Sequence, residues 1–295
     1  MSEEETFTAY KLEDILVIFS DTPLYPGGER EESIIDLTVQ RDPLKNLPII
    51  RATSIKGSLR SLVHLSKGEN YAKIIFGSEE KAGEILLLDA NILLYPVRSD
   101  IEPLVFTTSP LQINDLNRFL SMREDKKEKS DEIIRFEEEI EEGTALAPRG
   151  SPLVDKTIEI FDEIPIHVKG DEAPSNLANW VVKKLPDSSA YDYIKRKIKE
   201  NLIIVNESTF QHIVERGLIR ITRIRLKYET KTVESGALFT QELIPPYTIF
   251  FAGILVTKRK LRKESEEFLN SLRKGIRISL GGDETTGKGL VFCRL

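Results

Sequence analysis

Apolar residues fall in short dense runs separated by polar punctuation, and the first run, Leu12 to Phe19 (LEDILVIF), predicts a central β-strand. It stops at Ser20-Asp-Thr-Pro23, a turn signal. The stretch from Leu24 to Ala52 reads as a long loop, and its scattered Ile34, Ile35, Leu37, Val39, Leu47, Ile49 and Ile50 predict that it is ordered. Ile55, Leu59, Leu62 and Val63 then recur at helical spacing, which predicts a helix over 54–66 with Ser54 as its N-cap. Ile85 to Tyr95 (ILLLDANILLY) is a second strand-like run.

From 112 to 215 the pattern changes. Residues 123–142 are a charge run with little periodicity, 154–168 fit a pair of strands, and Leu177 to Leu202 reads as helices broken at Pro186. Sheet signals return at Arg220 to Tyr228, where Ile224, Leu226 and Tyr228 alternate with Arg223, Arg225 and Lys227. Glu229 to Pro246 predicts an extended hairpin, and Thr248 to Val256 a buried strand. Glu264 to Lys274 predicts a helix closed by Gly275, followed by strands at Ile276–Leu280 and Leu290–Leu295. This order predicts an α+β, ferredoxin-like core. Residues 1–111 and 216–295 would form that core, with the hairpin at about 229–246 and an inserted helical or lid region at 112–215.

The net charge of −6 argues at first against a nucleic-acid partner, but Glu124 to Glu142 alone holds ten acids and four bases. Asp36 to Lys73 holds seven bases and three acids, and Arg216 to Lys231 six bases and one acid, so two basic patches stand apart from the acidity. No run of 18 apolar residues predicts a membrane span, and the acidic N-terminal residues differ from a basic signal-peptide start. A single Cys293 excludes an internal disulfide and fits the cytoplasm.

The chemistry gathers at three places. A helix start beside Lys56 and Arg60 is an anion site, and Asp36 is a carboxylate with Arg41 nearby in sequence, fit to act on a phosphodiester or simply to cap a loop. Gly282-x-x-x-x-Gly287-Lys288 resembles a Walker A loop. However, Gly289 stands where Ser or Thr should be and six residues cannot form the following helix, which leaves a tight turn or a phosphate-holding loop. His64, His167 and His212 are too scattered for zinc, with His64 expected to pack on its helix; a hard cation held loosely by Asp36 and RNA phosphates is the remaining metal expectation.

Several segments together resemble the RAMP superfamily of CRISPR proteins, more closely the backbone subunits of type III-B (Cmr) effector complexes. They are Thr22-Pro-Leu-Tyr-Pro-Gly27, Asp36-x-x-x-Gln40-Arg41, Pro48-Ile-x-x-x-x-Ser54-Ile-Lys-Gly-Ser-Leu-Arg60 and Ile75-Phe-Gly77. Asp89-Ala-x-x-Leu-x-x-Pro-Val-Arg-Ser99, Thr108-Ser-Pro110, Ile244-Pro245 and Gly281-Gly-x-Glu-Thr-x-Gly-Lys-Gly289 complete the set. The resemblance implies an RNA-recognition-motif-like palm, a thumb hairpin and a helical filament of copies along a guide RNA (crRNA), joined by other Cmr subunits. It also implies Mg²⁺- or Mn²⁺-dependent cutting of complementary single-stranded target RNA. Asp36 matches the family's cleavage acid and metal ligand, Glu242 lies near a thumb acid, and Tyr25 stands where many relatives carry His. The resemblance implies guide-phosphate contacts for Ser54, Lys56 and Arg60. RNA binding is also expected of Arg41 and Gly57, of Gly281, Gly282, Thr285, Gly287 and Lys288 in the glycine loop, and of the alternating Arg223, Arg225 and Lys227, whose face is either an RNA platform or an ordinary solvated strand surface. The alternatives are a non-catalytic guide-binding subunit, or the equivalent backbone nuclease of a type III-A complex.

Overall fold

The computed structural model describes residues 9–28, 36–123, 134, 139–226 and 233–295; the side chains of 224–226 and 233–238 lie outside that description. The first strand, β1 (Tyr10–Ser20), and β2 (Ile49–Ile50) precede α1 (Ala52–Lys67) and α2 (Glu69–Phe76). Then come β3 (Ile85–Leu87), β4 (Ala90–Val97), β5 (Val105–Thr108) and α3 (Pro110–Ser121). The middle of the chain holds β6 (Thr144–Pro148), β7 (Thr157–Ile160), β8 (Ile164–Asp171), α4 (Ala173–Val182), α5 (Asp192–Asn201), β9 (Leu202–Val205) and α6 (Glu207–Gly217). The last part is β10 (Ile219–Leu226), β11 (Val233–Leu243), β12 (Ile249–Thr257), α7 (Lys263–Lys274), β13 (Ile276–Ser279) and β14 (Leu290–Arg294).

Twelve strands make one sheet in the order β13-β14-β1-β12-β4-β5-β9-β6-β8-β7, with β2 on β4 and β3 on β12. Its core, β14-β1-β12-β4, is antiparallel throughout, and α1 and α7 make the crossovers. That is a β-α-β-β-α-β unit. The 112–215 segment, read as chiefly helical, also supplies β6 to β9, which extend this sheet through the parallel pairing of β9 with β5.

Strand β1 explains the two-sided core. Leu16 and Ile18 face the apolar cluster under α1, α2 and α7, while Ile15, Val17 and Phe19 face a second cluster with α3, α4 and α5. Alternation of side chains across a strand requires this split, and a register shift between Leu12 and Asp14 puts Leu12 with the second set. Each such buried side chain contributes roughly 1.5–3 kcal/mol. Because Phe19, Phe251 and Phe292 are buried in the second cluster, both faces of the central sheet are covered.

Several local expectations are corrected. The α1 N-cap is Arg51, not Ser54, which lies in the first turn. The Asp89 carboxylate, at the β3–β4 break, accepts the Ala52 N–H at 2.7 Å and pairs with Arg51 at 2.8 Å. A carboxylate from elsewhere in the chain thus takes the first N–H of the helix start. Leu62 and His64 are exposed, while Ile55, Leu59 and Val63 are buried. The apolar stripe is therefore narrower than the spacing implied. The hairpin pairs β10 with β11, so its limbs are 219–226 and 233–243 rather than 229–246. Helix α7 ends as expected on Gly275, at φ 90°, whose N–H reaches the Leu272 and Ser271 carbonyls.

Candidate functional site

Asp36 lies where the loop after β1 meets the hairpin. The Leu37 N–H donates to the Thr240 carbonyl at 3.1 Å, and the Glu242 N–H donates to the Leu37 carbonyl at 2.9 Å. The loop therefore adds a short parallel bridge to β11. Asp36 Oδ2 accepts the Thr240 N–H at 2.8 Å, and the side chain stays half-buried. Among the described residues, no ion pair or hydrogen bond links Asp36 to Arg41, Lys56 or Arg60.

Arg41 and Glu242 belong to a different arrangement. Arg41 pairs with Glu215 at 2.6 Å and with Glu242 at 3.4 Å, and Arg220 pairs with the same two acids at 2.8 and 3.4 Å. The Glu242 side chain is only 2% exposed, and its Oε2 also accepts the Val39 N–H at 3.3 Å. Glu242 is thus enclosed by guanidinium groups and backbone. Tyr95 is buried near these charges. Burial first, and then the negative charge of Glu215, pushes its hydroxyl well above the usual tyrosine value.

The glycine loop packs on the first turn. The Gly282 N–H donates to the Tyr25 carbonyl at 2.9 Å, and the Gly289 N–H to that of Pro23 at 2.9 Å. Gly281, at φ +83°, approaches so closely that a Cβ would lie 2.0 Å from the Tyr25 oxygen, a contact only glycine permits. Residues 284–286 form a single 3₁₀ turn that leads into β14, so this is not a nucleotide-hydrolysing loop followed by a helix. Thr285 and Gly287 are exposed on it, and Lys288 is half-buried.

Asp283, in the left-handed region at φ 66°, ties this loop to the hairpin. Arg223 grips it through both Nη atoms at 2.8 and 2.9 Å, and Gln241 Nε2 donates to it at 2.8 Å. Burial pushes the Asp283 carboxyl up, but the hydrogen bonds from Arg223 and Gln241 outweigh that and hold it below the usual range. Burial, followed by the Asp283 charge, raises the Tyr25 hydroxyl. Arg223, expected on an RNA-facing stripe, is therefore engaged within the fold. The Arg225 side chain and Lys227 lie outside the described residues.

On α1, Ser54 Oγ lies 3.5 Å from the Pro26 carbonyl and Arg60 donates to the Gly77 carbonyl at 2.7 Å. Lys56 is half-buried, and Gly57 is exposed, with no described atom beyond its own turn of helix within 4 Å of where a Cβ would stand. Contacts run continuously between these places. Pro26 sits at Ser54, the Gly27 carbonyl accepts the Gln40 N–H at 2.9 Å, and Gly28 abuts the Thr38 carbonyl, two residues from Asp36. The chain thus brings Tyr25, Ser54, Asp36 and the glycine loop into one neighbourhood and turns Arg60 to a backbone carbonyl.

Sequence reasoning missed Asp283, Gln241, Glu215 and Asp89. The first three become partners only through the hairpin register and α6, and neither was visible as spacing. Among the described residues, no three His, Cys, Asp or Glu side chains gather as a metal site. No helix there is long and apolar enough to cross a membrane.

Comparison with known proteins places this geometry. The RAMP superfamily model matches residues 20–292. The chain is 33% identical over 283 residues to the CRISPR system Cmr endoribonuclease Cmr4 of Pyrococcus furiosus, covering 93% of this chain and 92% of that protein. Oligomeric Cmr4 from the same organism superposes with a TM-score of 0.69 at 28% identity, covering 97% of this chain and 96% of the other. A chain of the type III-B Cmr-beta complex bound to cognate target RNA superposes with a TM-score of 0.74 at 26% identity, over 97% of this chain and 98% of that one. A sheet covered on both faces, a hairpin clasped to a glycine loop and these matches lead to one conclusion: the chain belongs to the RAMP superfamily, among the Cmr4 backbone subunits of type III-B complexes.

Proposed function

We propose that this protein binds a guide RNA as the repeating backbone subunit of a type III-B effector complex and cuts the complementary target RNA, with Asp36 as the key acid. The β-α-β-β-α-β unit serves as a ferredoxin-like palm and the β10–β11 hairpin as a thumb. Its partners are guide RNA, single-stranded target RNA, further copies of itself in a filament and other Cmr subunits. With both sheet faces covered, RNA runs along loop and helix edges instead of stacking on the palm's central strands.

One observation carries the assignment: a half-buried carboxylate is fixed to the base of the hairpin by the Thr240 N–H at 2.8 Å. Cutting RNA needs a proton removed from a 2′-hydroxyl and charge stabilised on the phosphate. The Thr240 N–H holds Oδ2, and the other oxygen of Asp36 accepts that proton, a contribution worth about 10²–10⁴-fold. A Mg²⁺ or Mn²⁺ ion would supply charge stabilisation at the phosphate. Asp36 would hold that ion, and because no three candidate ligands gather among the described residues, the RNA would furnish the other ligands.

A second reading, a guide-binding subunit that does not cut, draws on the same hydrogen bond, because a loop-capping Asp makes just such a contact. Asp36→Asn in the assembled complex separates the two. Asparagine keeps an oxygen for the Thr240 N–H, so guide and target binding should persist while cleavage falls about 100-fold or more. Cleavage at the unaltered rate leaves only the scaffold reading.

A further inference from the structure

Arg41, Glu242, Arg220 and Glu215 close a ring of alternating charge. Glu215 takes Arg41 on one oxygen and Arg220 on the other, at 2.6 and 2.8 Å, and Glu242 takes the same two arginines at 3.4 Å each. The four residues come from four elements: the loop carrying Asp36, β11, β10 and α6. Near them lies Tyr95, fully buried, its hydroxyl without a partner among the described residues. Gly217, at the end of α6, packs so near the Tyr95 ring that a Cβ would sit 2.6 Å from its Cε1. Glu242, at 2% exposure, is the desolvated member of the ring, so loss of an arginine partner strands its charge, whereas the Glu215–Arg220 pair lies nearer solvent at 44% and 40% exposure.

Glu242 also straddles the Asp36 loop. Its own N–H donates to the Leu37 carbonyl and its carboxylate accepts the Val39 N–H, while two residues along β11 the Thr240 N–H holds Asp36 itself. We propose that Glu242 is a positioning residue: through the ring with Arg41, Arg220 and Glu215 it sets the depth and angle at which Asp36 is presented at the hairpin base. Buried at 2% exposure, it does not touch RNA. A shift of about 1 Å in such a loop is enough to cost about 100-fold in rate. The catalytic consequence rests on Asp36 being the cutting acid; the structural consequence does not.

The test uses the assembled complex with two variants and two readouts. Glu242→Gln should leave target KM and guide affinity within about twofold and lower kcat about tenfold or more, because placement and not binding is disturbed. Amide exchange at Val39 and Thr240 should quicken about tenfold, with β1 and β12 amides unchanged. Arg220→Gln should reproduce both effects, and Arg220→Lys, which keeps the charge, should restore exchange protection and most of kcat. Should Glu242→Gln fail to fold, the Arg220 pair decides, since Arg220 is 40% exposed and less critical to the core. Unchanged exchange at Val39 and Thr240 overturns the proposal. Slower cleavage with unaltered exchange overturns it too, since Glu242 would then act on the RNA directly. If Asp36→Asn cuts normally, the cleavage assignment falls, and the exchange data still judge the ring.

Discussion

Gly57 stands in the interior of α1, exposed, and beyond its own turn of helix no described atom comes within 4 Å of where a Cβ would be, so the fold itself gives no reason for glycine. Glycine costs a helix about 1 kcal/mol relative to alanine. Gly57→Ala should therefore stabilise the free subunit by about that much and raise its Tm by about 2 °C. The functional expectation has the opposite sign. A helix-interior glycine is retained where another backbone must come close, and a guide strand passing over α1 would meet the new methyl group. A clash of about 1.4 kcal/mol lowers guide affinity about tenfold. Thermal melting of the subunit and guide titration at several salt concentrations measure both. Affinity should fall without a change in salt slope, since no cation is removed, whereas Lys56→Ala should flatten the slope by about 0.7. A higher Tm with unaltered guide affinity would refute the path of RNA across α1 and leave Gly57 a tolerated imperfection.

Asp283→Asn keeps a residue that accepts the left-handed backbone but removes the charge gripped by Arg223, and should destabilise by about 1–2 kcal/mol. Because folding holds this carboxyl below its ordinary value, its contribution is present above pH about 4 and is lost as the pH falls below that; hydrogen exchange along β11 on acidification, with and without the substitution, checks it. Asp89→Ala strips α1 of the carboxylate on its first N–H and should cost about 1–2 kcal/mol in denaturant unfolding. Burial pushes the Cys293 thiol up to about 12, so it should resist thiol reagents in the native protein at pH 8 and react only on unfolding. Native labelling at the rate of a free thiol would contradict the packing described around β14.

Periodicity and punctuation alone determined a good deal. The apolar runs that became β1 and β12, the helix closed by Gly275 and the β-α-β-β-α-β order are local consequences of residue type, since burial on two faces demands a continuous apolar strand. The segments that resemble the RAMP superfamily, Asp36 among them, were likewise legible as residues at fixed spacing. What the chain could not disclose is which charges meet. Arg223 and Arg60 read as RNA contacts, yet one is claimed by Asp283 and the other by the Gly77 carbonyl. Glu242 read as an acid near the chemistry, yet it lies inside a ring closed by Arg41, Arg220 and Glu215. Those partners are 5 to 201 residues apart in sequence or meet through the register of one hairpin. Pairing over such separations is set by how strands align and helices pack, and only the folded chain specifies that.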